Sequence, residues 1–335
     1  MKALLLTTAD GPGSPKITEL ETPVPAAGEV RVALKAAAIN HRELWVSRGL
    51  YPGMKLPAIM GADGAGVIDA VGEGVDTAVI GSEVVLYPAS HWGDNPKYPS
   101  AEFGCLGMPY AGTFAEYICV PADAVAAKPQ GFSFAEAAGV PLAGMTAWRS
   151  LTVKAQLQAG EKILITGIGG GVAVWALTFA VAMGAEVYVT SSSQEKIDQA
   201  VAMGAKGGVN YKEEKWGKTL TKMSGGIDVV FDGAPTGATK QYIRALNMGG
   251  RVVIYGSTGG MSFDVPVPDF FLKHATIFGS AMGTVDDFKG MMAYVGEHNL
   301  KPVIEKTFTL DETSDAMMYL EKEHQMGKII INISQ

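Results

Sequence analysis

The pattern of hydrophobic and polar positions changes at about residue 125. Before it, short apolar segments at positions such as 30–34, 83–86 and 113–120 are separated by turns rich in glycine, proline and acidic residues. Many short strands at close spacing are typical of a small barrel-like β domain. We therefore predict a β-rich first domain over residues 1–124.

Beyond residue 125 apolar strands alternate with helices. The predicted strands are 162–166, 187–190, 227–231 and 251–255. This alternation predicts βαβ units and a parallel sheet buried on both faces, which we place at residues 125–265. The remainder, 266–335, carries an apolar strand at 275–279, a helix at 285–295 and a terminal strand at 328–331. We expect it to supply the sheet's edge and then return to the first domain.

Composition narrows the function classes. The 335-residue chain has a net charge of -7, which disfavours nucleic acid as a partner because phosphate binding relies on clustered Lys and Arg. Its two cysteines, Cys105 and Cys119, are too few for a four-cysteine zinc site or a disulfide framework, and we expect reduced thiols. The longest apolar stretch, 172–185, is short of the ~20 residues of a membrane span, and the N-terminus lacks a signal-peptide pattern. A cytoplasmic protein without membrane contact is the expectation.

A glycine-rich turn at 165–173 lies between a predicted strand and a predicted helix, the context of a dinucleotide site. The strict GxGxxG spacing is not met, because Val172 stands at its last glycine position. The looser spacing Gly167, Gly170, Ala173 fits. The residues expected to contact the cofactor here are Gly167, Gly169, Gly170, Gly171 and Val172. The alternative is a glycine-rich turn that binds nothing.

The segment after the second strand of this sheet indicates which dinucleotide binds. NAD sites usually place a carboxylate about 20 residues after the glycines, whereas residues 190–194 contain none. Ser191, Ser192 and Lys196 could instead donate to a 2′-phosphate, so the sequence favours NADP(H). Ser192 or Ser193 could equally cap the following helix, with Glu195 in its first turn, and both interpretations can hold together.

Several motifs, in order along nearly the whole chain, resemble the medium-chain dehydrogenase/reductase superfamily, and most closely its quinone oxidoreductase and zinc-type alcohol dehydrogenase-like branch. The matching segments are residues 40–45, 48–52, 61–67, 112–117, 141–147 and 228–232. The resemblance implies an α/β fold class, with a GroES-like β-rich catalytic domain, a Rossmann doubly wound parallel sheet, and a cleft between them.

The resemblance also assigns positions. Lys196 and Tyr211 match residues that hold the 2′-phosphate in NADPH-using quinone reductases, and Thr146, Gly256 and Ser257 match the turns beside the nicotinamide. It further implies a homodimer in which two apolar edges, 275–282, meet across a two-fold axis. The alternative is an edge covered by its own chain.

The chain departs from the zinc alcohol dehydrogenases where they bind metal. A cysteine opens their first catalytic segment and a Gly-His-Glu motif carries their second ligand, but Asn40 and Ala62 stand at these positions. The cysteine-rich structural zinc lobe is replaced by residues 87–105, with a single cysteine. No metal site is therefore expected.

Without zinc, another group must stabilise the charge that develops on the substrate oxygen. Tyr51 matches a tyrosine of the quinone reductase cleft and is the preferred donor, and the Asn40 amide is the second. The expected activity is NADPH-dependent hydride transfer to a quinone, enone or aldehyde in the interdomain cleft. Tyr51 could instead be a packed wall residue, with solvent protonating the product.

Two other functions stay open at this point. A zinc-type alcohol dehydrogenase with altered ligands would use His41, Glu43 and Asp63, although these acids could equally form structural hydrogen bonds. A non-catalytic NADPH-binding protein, such as a redox sensor, belongs to a different class.

Overall fold

The chain divides into two units, each built on one large β-sheet. A computed structural model describes residues 1–322 and 325–334. The first unit comprises Met1–Met145 and the segment that begins at Gly283, and the second comprises Thr146–Met282.

The first unit is rich in short strands. In chain order these are β1 (Lys2–Leu6), β2 (Lys16–Glu19), β3 (Glu29–Ile39), β4 (Ala58–Ile59), β5 (Asp63–Val71), β6 (Glu83–Leu86), β7 (Ala89–Ser90), β8 (Gly104–Leu106), β9 (Pro109–Tyr110), β10 (Tyr117–Pro121) and β11 (Val125–Ala127). The helices that accompany them are α1 (His41–Ser47) and α2 (Phe134–Ala138), and α3 (Pro141–Arg149) begins in this unit and ends in the second. The β-rich first domain expected from the sequence is therefore present.

The second unit alternates strand and helix. Its elements are β12 (Lys162–Ile165), α4 (Gly171–Ala182), β13 (Glu186–Ser191), α5 (Gln194–Ala202), β14 (Gly207–Asn210), α6 (Trp216–Ser224), β15 (Ile227–Asp232), α7 (Thr239–Ala245), β16 (Leu246–Ile254), α8 (Val267–Phe271) and β17 (Thr276–Gly279). The strands form one parallel sheet in the order β14-β13-β12-β15-β16-β17, with β17 at an edge as predicted. This is the Rossmann order, which reverses between β12 and β15.

The chain then returns to the first unit. The returning elements are α9 (Val285–Glu297), β18 (Ile304–Thr309), α10 (Thr313–Glu321) and β19 (Lys328–Asn332). The largest sheet of this unit runs β11-β6-β5-β3-β19-β18, and β10 also pairs with β3. A C-terminal strand is thus inserted beside a strand formed near the start of the chain.

The register of these central strands places polar residues together. β19 is antiparallel to β3, with Ile329 opposite Ile39, so Lys328 lies opposite Asn40 at the end of β3. On the other side of β3, Asp63 lies opposite Ala38. Because residues two apart on a strand point to the same face, Asn40 has a charged neighbour from each flanking strand.

The compact units divide at residues 145/146 and 282/283, whereas the sequence placed boundaries near 124 and 265. The first difference arises because α2 packs on β3 and β5, so it belongs with the β-rich unit. The predicted strand at 113–120 is shorter than expected. Its first residues, Thr113 and Phe114, bond instead to the backbone oxygens of Gly61 and Met60, and the strand begins at Tyr117.

Hydrophobic clusters fill each unit. Leu4, Phe114 and Met317 belong to one in the first unit, and Leu164, Val230 and Tyr242 to one in the second. Cys105 and Cys119 are free thiols. Throughout the described ranges, every helix is too short or too polar to cross a bilayer.

Candidate functional site

The glycine turn of the second unit connects the central strand β12 to helix α4. Gly167 adopts φ +61° and Gly169 φ +134°, backbone conformations that favour glycine. Gly170 is the N-cap of α4, and within the described part of the chain no side chain caps this end. The N–H groups of the first helical turn, at Gly171 and Val172, are therefore suited to donate hydrogen bonds to an anion.

The end of β13 holds this turn in place. The Gly167 N–H donates to the side-chain Oγ1 of Thr190 at 3.0 Å, and the Ile168 N–H donates to the backbone oxygen of Thr190 at 2.8 Å. Thr190 itself is buried. Thr190 thus holds the glycine turn, a role that the acid-free segment 190–194 does not reveal in the sequence.

The serines beyond β13 take different roles. Ser193, and not Ser192, is the N-cap of α5. Ser191 is buried, and its Oγ accepts from the Ser193 N–H at 3.2 Å. Ser192 is exposed. Lys196 is half-buried in the first turn of α5. Tyr211 follows β14, donates its N–H to the Ser191 oxygen at 3.1 Å, and is 45% exposed.

These residues all lie at the carboxyl ends of neighbouring parallel strands. In open α/β sheets, ligands bind outside these ends, at the point where the strand order reverses. Ser257 follows β16 at the same edge and is exposed. A Cβ at Gly256 would lie 3.0 Å from the Gly233 oxygen, so this glycine permits a close backbone approach. Thr146 is buried at the start of the second unit.

A buried carboxyl was missed as a site element. Asp232, which ends β15, accepts from Thr166 Oγ1 at 2.6 Å and from the Ala234 N–H at 2.9 Å, both through Oδ1. Burial raises the pKa of Asp232, against the effect of these donors. Because Thr166 directly precedes Gly167, Asp232 links β15 to the glycine turn across the reversal point.

The first unit gathers the residues predicted to act on substrate. Lys328 Nζ donates to Asn40 Oδ1 at 2.5 Å, to Asp63 Oδ2 at 3.0 Å and to the Ile39 oxygen at 3.0 Å. Asn40 Nδ2 donates to the same Asp63 oxygen at 3.0 Å, and Asp63 Oδ1 accepts from the Leu142 N–H at 2.8 Å. Asp63 is fully buried, and Lys328 and Asn40 are 3% and 9% exposed.

A second ion pair supports this group from helix α1. Glu43, fully buried, accepts from the Asn40 N–H at 2.6 Å and from Arg42 at 2.8 Å. Burial raises the pKa of Glu43, although Arg42 and the Asn40 N–H oppose this. The first contact follows from spacing, since a Glu three residues after an N-cap reaches back to the cap N–H.

Arg42, which pairs with Glu43, also contacts Tyr51. Its guanidinium lies 4.8 Å from the centre of the Tyr51 ring and donates to the Leu106 and Met108 oxygens. The Tyr51 hydroxyl donates to the Cys105 Sγ at 3.8 Å. Burial raises the pKa of Tyr51, with Arg42 opposing, so the phenol keeps its proton at neutral pH. Tyr51 and Asn40 are thus linked through Arg42 and Glu43.

These residues do not fit a zinc ion. The amide oxygen of Asn40 faces an ammonium, Ala62 offers only a methyl group, and Asp63 is bonded to Lys328 and Asn40. In the portion of the chain that the structure describes, no group of three His, Cys, Asp or Glu side chains is placed to hold a metal. Glu43 and Asp63 form the structural hydrogen bonds that the sequence left as one alternative.

Comparison with known proteins gives the family. The model of the alcohol dehydrogenase GroES-like domain matches residues 26–130, and that of the zinc-binding dehydrogenase matches 171–297. A zinc-type alcohol dehydrogenase-like protein YogA of Leptosphaeria maculans is 36% identical, over 95% of this chain and 94% of its own. The chain belongs to the medium-chain dehydrogenase/reductase superfamily.

Two further relatives show the range within this superfamily. An acryloyl-coenzyme A reductase of Metallosphaera sedula is 30% identical over 94% of this chain and 96% of its own. The crystal structure of an NAD-dependent alcohol dehydrogenase superposes with a TM-score of 0.94 over 100% of both chains, at 34% identity. The superfamily, the GroES-like domain and the Rossmann sheet predicted from the sequence are therefore confirmed.

Proposed function

We propose that this oxidoreductase uses NADPH to reduce a small quinone, enone or aldehyde without zinc. The observation that carries the proposal is the Asn40 group, in which a lysine and an aspartate hold an amide where zinc relatives place a metal ligand. Such a group is unsuited to metal binding but can present a hydrogen-bond donor to a substrate oxygen.

The second unit has the features needed for the cofactor. The bare N-terminus of α4 and the left-handed Gly167 suit a pyrophosphate, and Ser191, Ser192, Lys196 and Tyr211 would hold the 2′-phosphate. Thr146, Gly256 and Ser257 would lie beside the nicotinamide, which supplies a hydride when bound. The residues of the chain orient the acceptor and supply donors to its oxygen.

The name of one relative suggests which class of acceptor to test first. An acryloyl-coenzyme A reductase acts, by its name, on a carbon–carbon double bond conjugated to a carbonyl. In that chemistry charge develops on the carbonyl oxygen, where a fixed N–H or O–H is most effective. Enones therefore rank first among the acceptors that we propose.

An acceptor panel tests the function. Purified protein is mixed with NADPH and, in turn, with quinones, enones, aldehydes and an unsaturated acyl-coenzyme A, and loss of NADPH absorbance is followed. We expect turnover with at least one conjugated acceptor. If NADPH binds but is oxidised by none of them, the non-catalytic alternative is supported instead.

The acid-free segment at 190–194 leads to a cofactor prediction. NADPH should bind more tightly than NADH, and Lys196→Ala should weaken NADPH binding by about 1.5–3 kcal/mol through loss of a charge-assisted hydrogen bond. Titration of both cofactors at fixed salt measures this. Lys206→Ala, at the opposite end of β14, is the matched control. Equal affinities for NADPH and NADH would contradict the prediction.

The donor set of the Asn40 group leads to a metal prediction. Protein purified without added metal should contain well under one zinc per chain, because Asn40 and Ala62 offer no ligand of the usual kind. Elemental analysis measures the content, and dialysis against a chelator should leave turnover unchanged. A stoichiometric zinc that is lost together with activity would show that the altered-ligand alternative is correct.

The edge strand β17 leads to an assembly prediction. It is the outermost strand of the parallel sheet, and nearby Val267, Phe271 and Leu272 are each more than half exposed. An apolar sheet edge is a pairing hazard unless it is covered, so we expect a homodimer formed through it. Light scattering at micromolar concentration should give twice the chain mass. A clean monomer mass would reject this prediction.

A further inference from the structure

We infer that Lys328 is a positioning residue that fixes the side-chain amide of Asn40, so that one amide N–H faces the substrate. The inference rests on the proposed reductase function and adds to it a residue that the motifs do not contain. Lys328 opens the C-terminal strand β19, 288 positions after Asn40, and reaches it only because β19 pairs with β3.

The chemistry of the two partners determines the orientation of the amide. An ammonium has only donors, so the Asn40 atom that faces Lys328 at 2.5 Å must be the oxygen. A carboxylate has only acceptors, so the atom that faces Asp63 at 3.0 Å must be the nitrogen. A flipped amide would place N–H against ammonium and oxygen against carboxylate, and would lose both hydrogen bonds.

Lys328 cannot itself contact substrate in this arrangement. Its three N–H donors match three acceptors, namely the Ile39 oxygen, Asn40 Oδ1 and Asp63 Oδ2. It is 3% exposed. Its effect on a substrate must therefore pass through Asn40.

The remaining donor of the group belongs to Asn40. Its amide nitrogen carries two protons, and among the described residues only Asp63 accepts one of them. The ammonium on Oδ1 draws electron density from the amide and strengthens its N–H as a donor, as in polarised hydrogen-bond chains. Lys328 thus both orients and polarises the group that faces developing negative charge.

Removal of Lys328 alone would leave the buried Asp63 carboxylate unpaired, so the test removes both charges. The double variant Lys328→Met/Asp63→Asn leaves Asn40 in place without its charged partners. Lys328→Arg keeps a cation, and Lys301→Met removes an exposed lysine paired with Glu136 in the same unit as the control. Circular dichroism and urea unfolding establish that each variant is folded.

The first readout needs no substrate. Protein labelled with ¹⁵N-asparagine gives side-chain amide signals, and that of Asn40 is assigned by its loss in Asn40→Ala. In the wild type the two Asn40 protons should be well separated in shift, and the one bonded to Asp63 should exchange with water more slowly than those of the exposed Asn299. Slow exchange should be lost in the double variant and kept in Lys301→Met. Fast exchange in the wild type, or unchanged exchange in the double variant, would overturn the inference.

The second readout is kinetic, with NADPH and the best acceptor from the panel. The double variant should lose about 10²–10³ in kcat, the usual effect of removing one oxyanion donor, with little change in the NADPH Kd. Lys328→Arg should retain more turnover than the double variant. Retention of full turnover by a double variant that has lost slow exchange would overturn the positioning role. If no acceptor is reduced, the proposed function fails, and the amide measurement still decides whether Lys328 orients Asn40.

Discussion

Lys328→Met should lower the free energy of unfolding by about 3–5 kcal/mol, because it breaks a buried ion pair and leaves the other charge uncompensated. Asp63 is fully buried and Lys328 is 3% exposed, with 3.0 Å between the ammonium and the carboxylate. The Asn40 and Leu142 N–H donors would remain on Asp63, but they supply no net positive charge.

Urea unfolding followed by circular dichroism measures the loss. Lys301→Met is the matched control, because it removes a lysine that lies 2.7 Å from Glu136 and whose side chain is 42% exposed, and ion pairs at the surface contribute about 0–1 kcal/mol. Adding Asp63→Asn to Lys328→Met should restore part of the stability, since removal of a whole buried pair is often neutral. If Lys328→Met lowers the free energy of unfolding no more than Lys301→Met does, the buried Lys328–Asp63 pair stabilises the fold no more than the pair at the surface.

Asn40→Ala and Tyr51→Phe should each reduce turnover by about 10²–10³ at saturating NADPH, if each supplies one donor to the substrate oxygen. Asn40 has one amide N–H beyond the one given to Asp63. The raised pKa of Tyr51 keeps its phenol protonated, and its ring lies over the Arg42 guanidinium, which would stabilise a developing phenolate. Steady-state kinetics on the best acceptor measures both effects.

Tyr110→Phe is the matched control for the tyrosine, because its hydroxyl donates to the Glu102 oxygen at the surface. It should leave kcat unchanged. If Asn40→Ala and Tyr51→Phe both keep kcat within about threefold of the wild type, neither residue is a catalytic donor. Tyr51 would then be the packed wall residue of the alternative interpretation, with solvent as the proton source.

The local pattern of the sequence predicted the alternating strands and helices of the second unit and its glycine turn. Apolar strands that alternate with helices predict βαβ units, and the glycine turn from Gly167 to Gly170 lies between β12 and α4 as expected. The contact of Glu43 with the Asn40 N–H is local in the same way, since only three residues separate them.

Long-range strand pairing decided the rest. Which group holds the Asn40 amide depends on the pairing of β19 with β3, across 288 residues, and the link from Thr166 to Asp232 depends on the adjacency of β12 and β15. A lysine at the head of an apolar strand is visible in the sequence, but its partner is not. Hydrophobic periodicity specifies which face of a strand is buried, whereas the identity of its neighbour depends on how the whole sheet assembles. The sequence alone therefore determined the family, the strand pattern and the absence of the usual zinc ligands, while only the tertiary structure placed Lys328 and Asp63 on either side of Asn40.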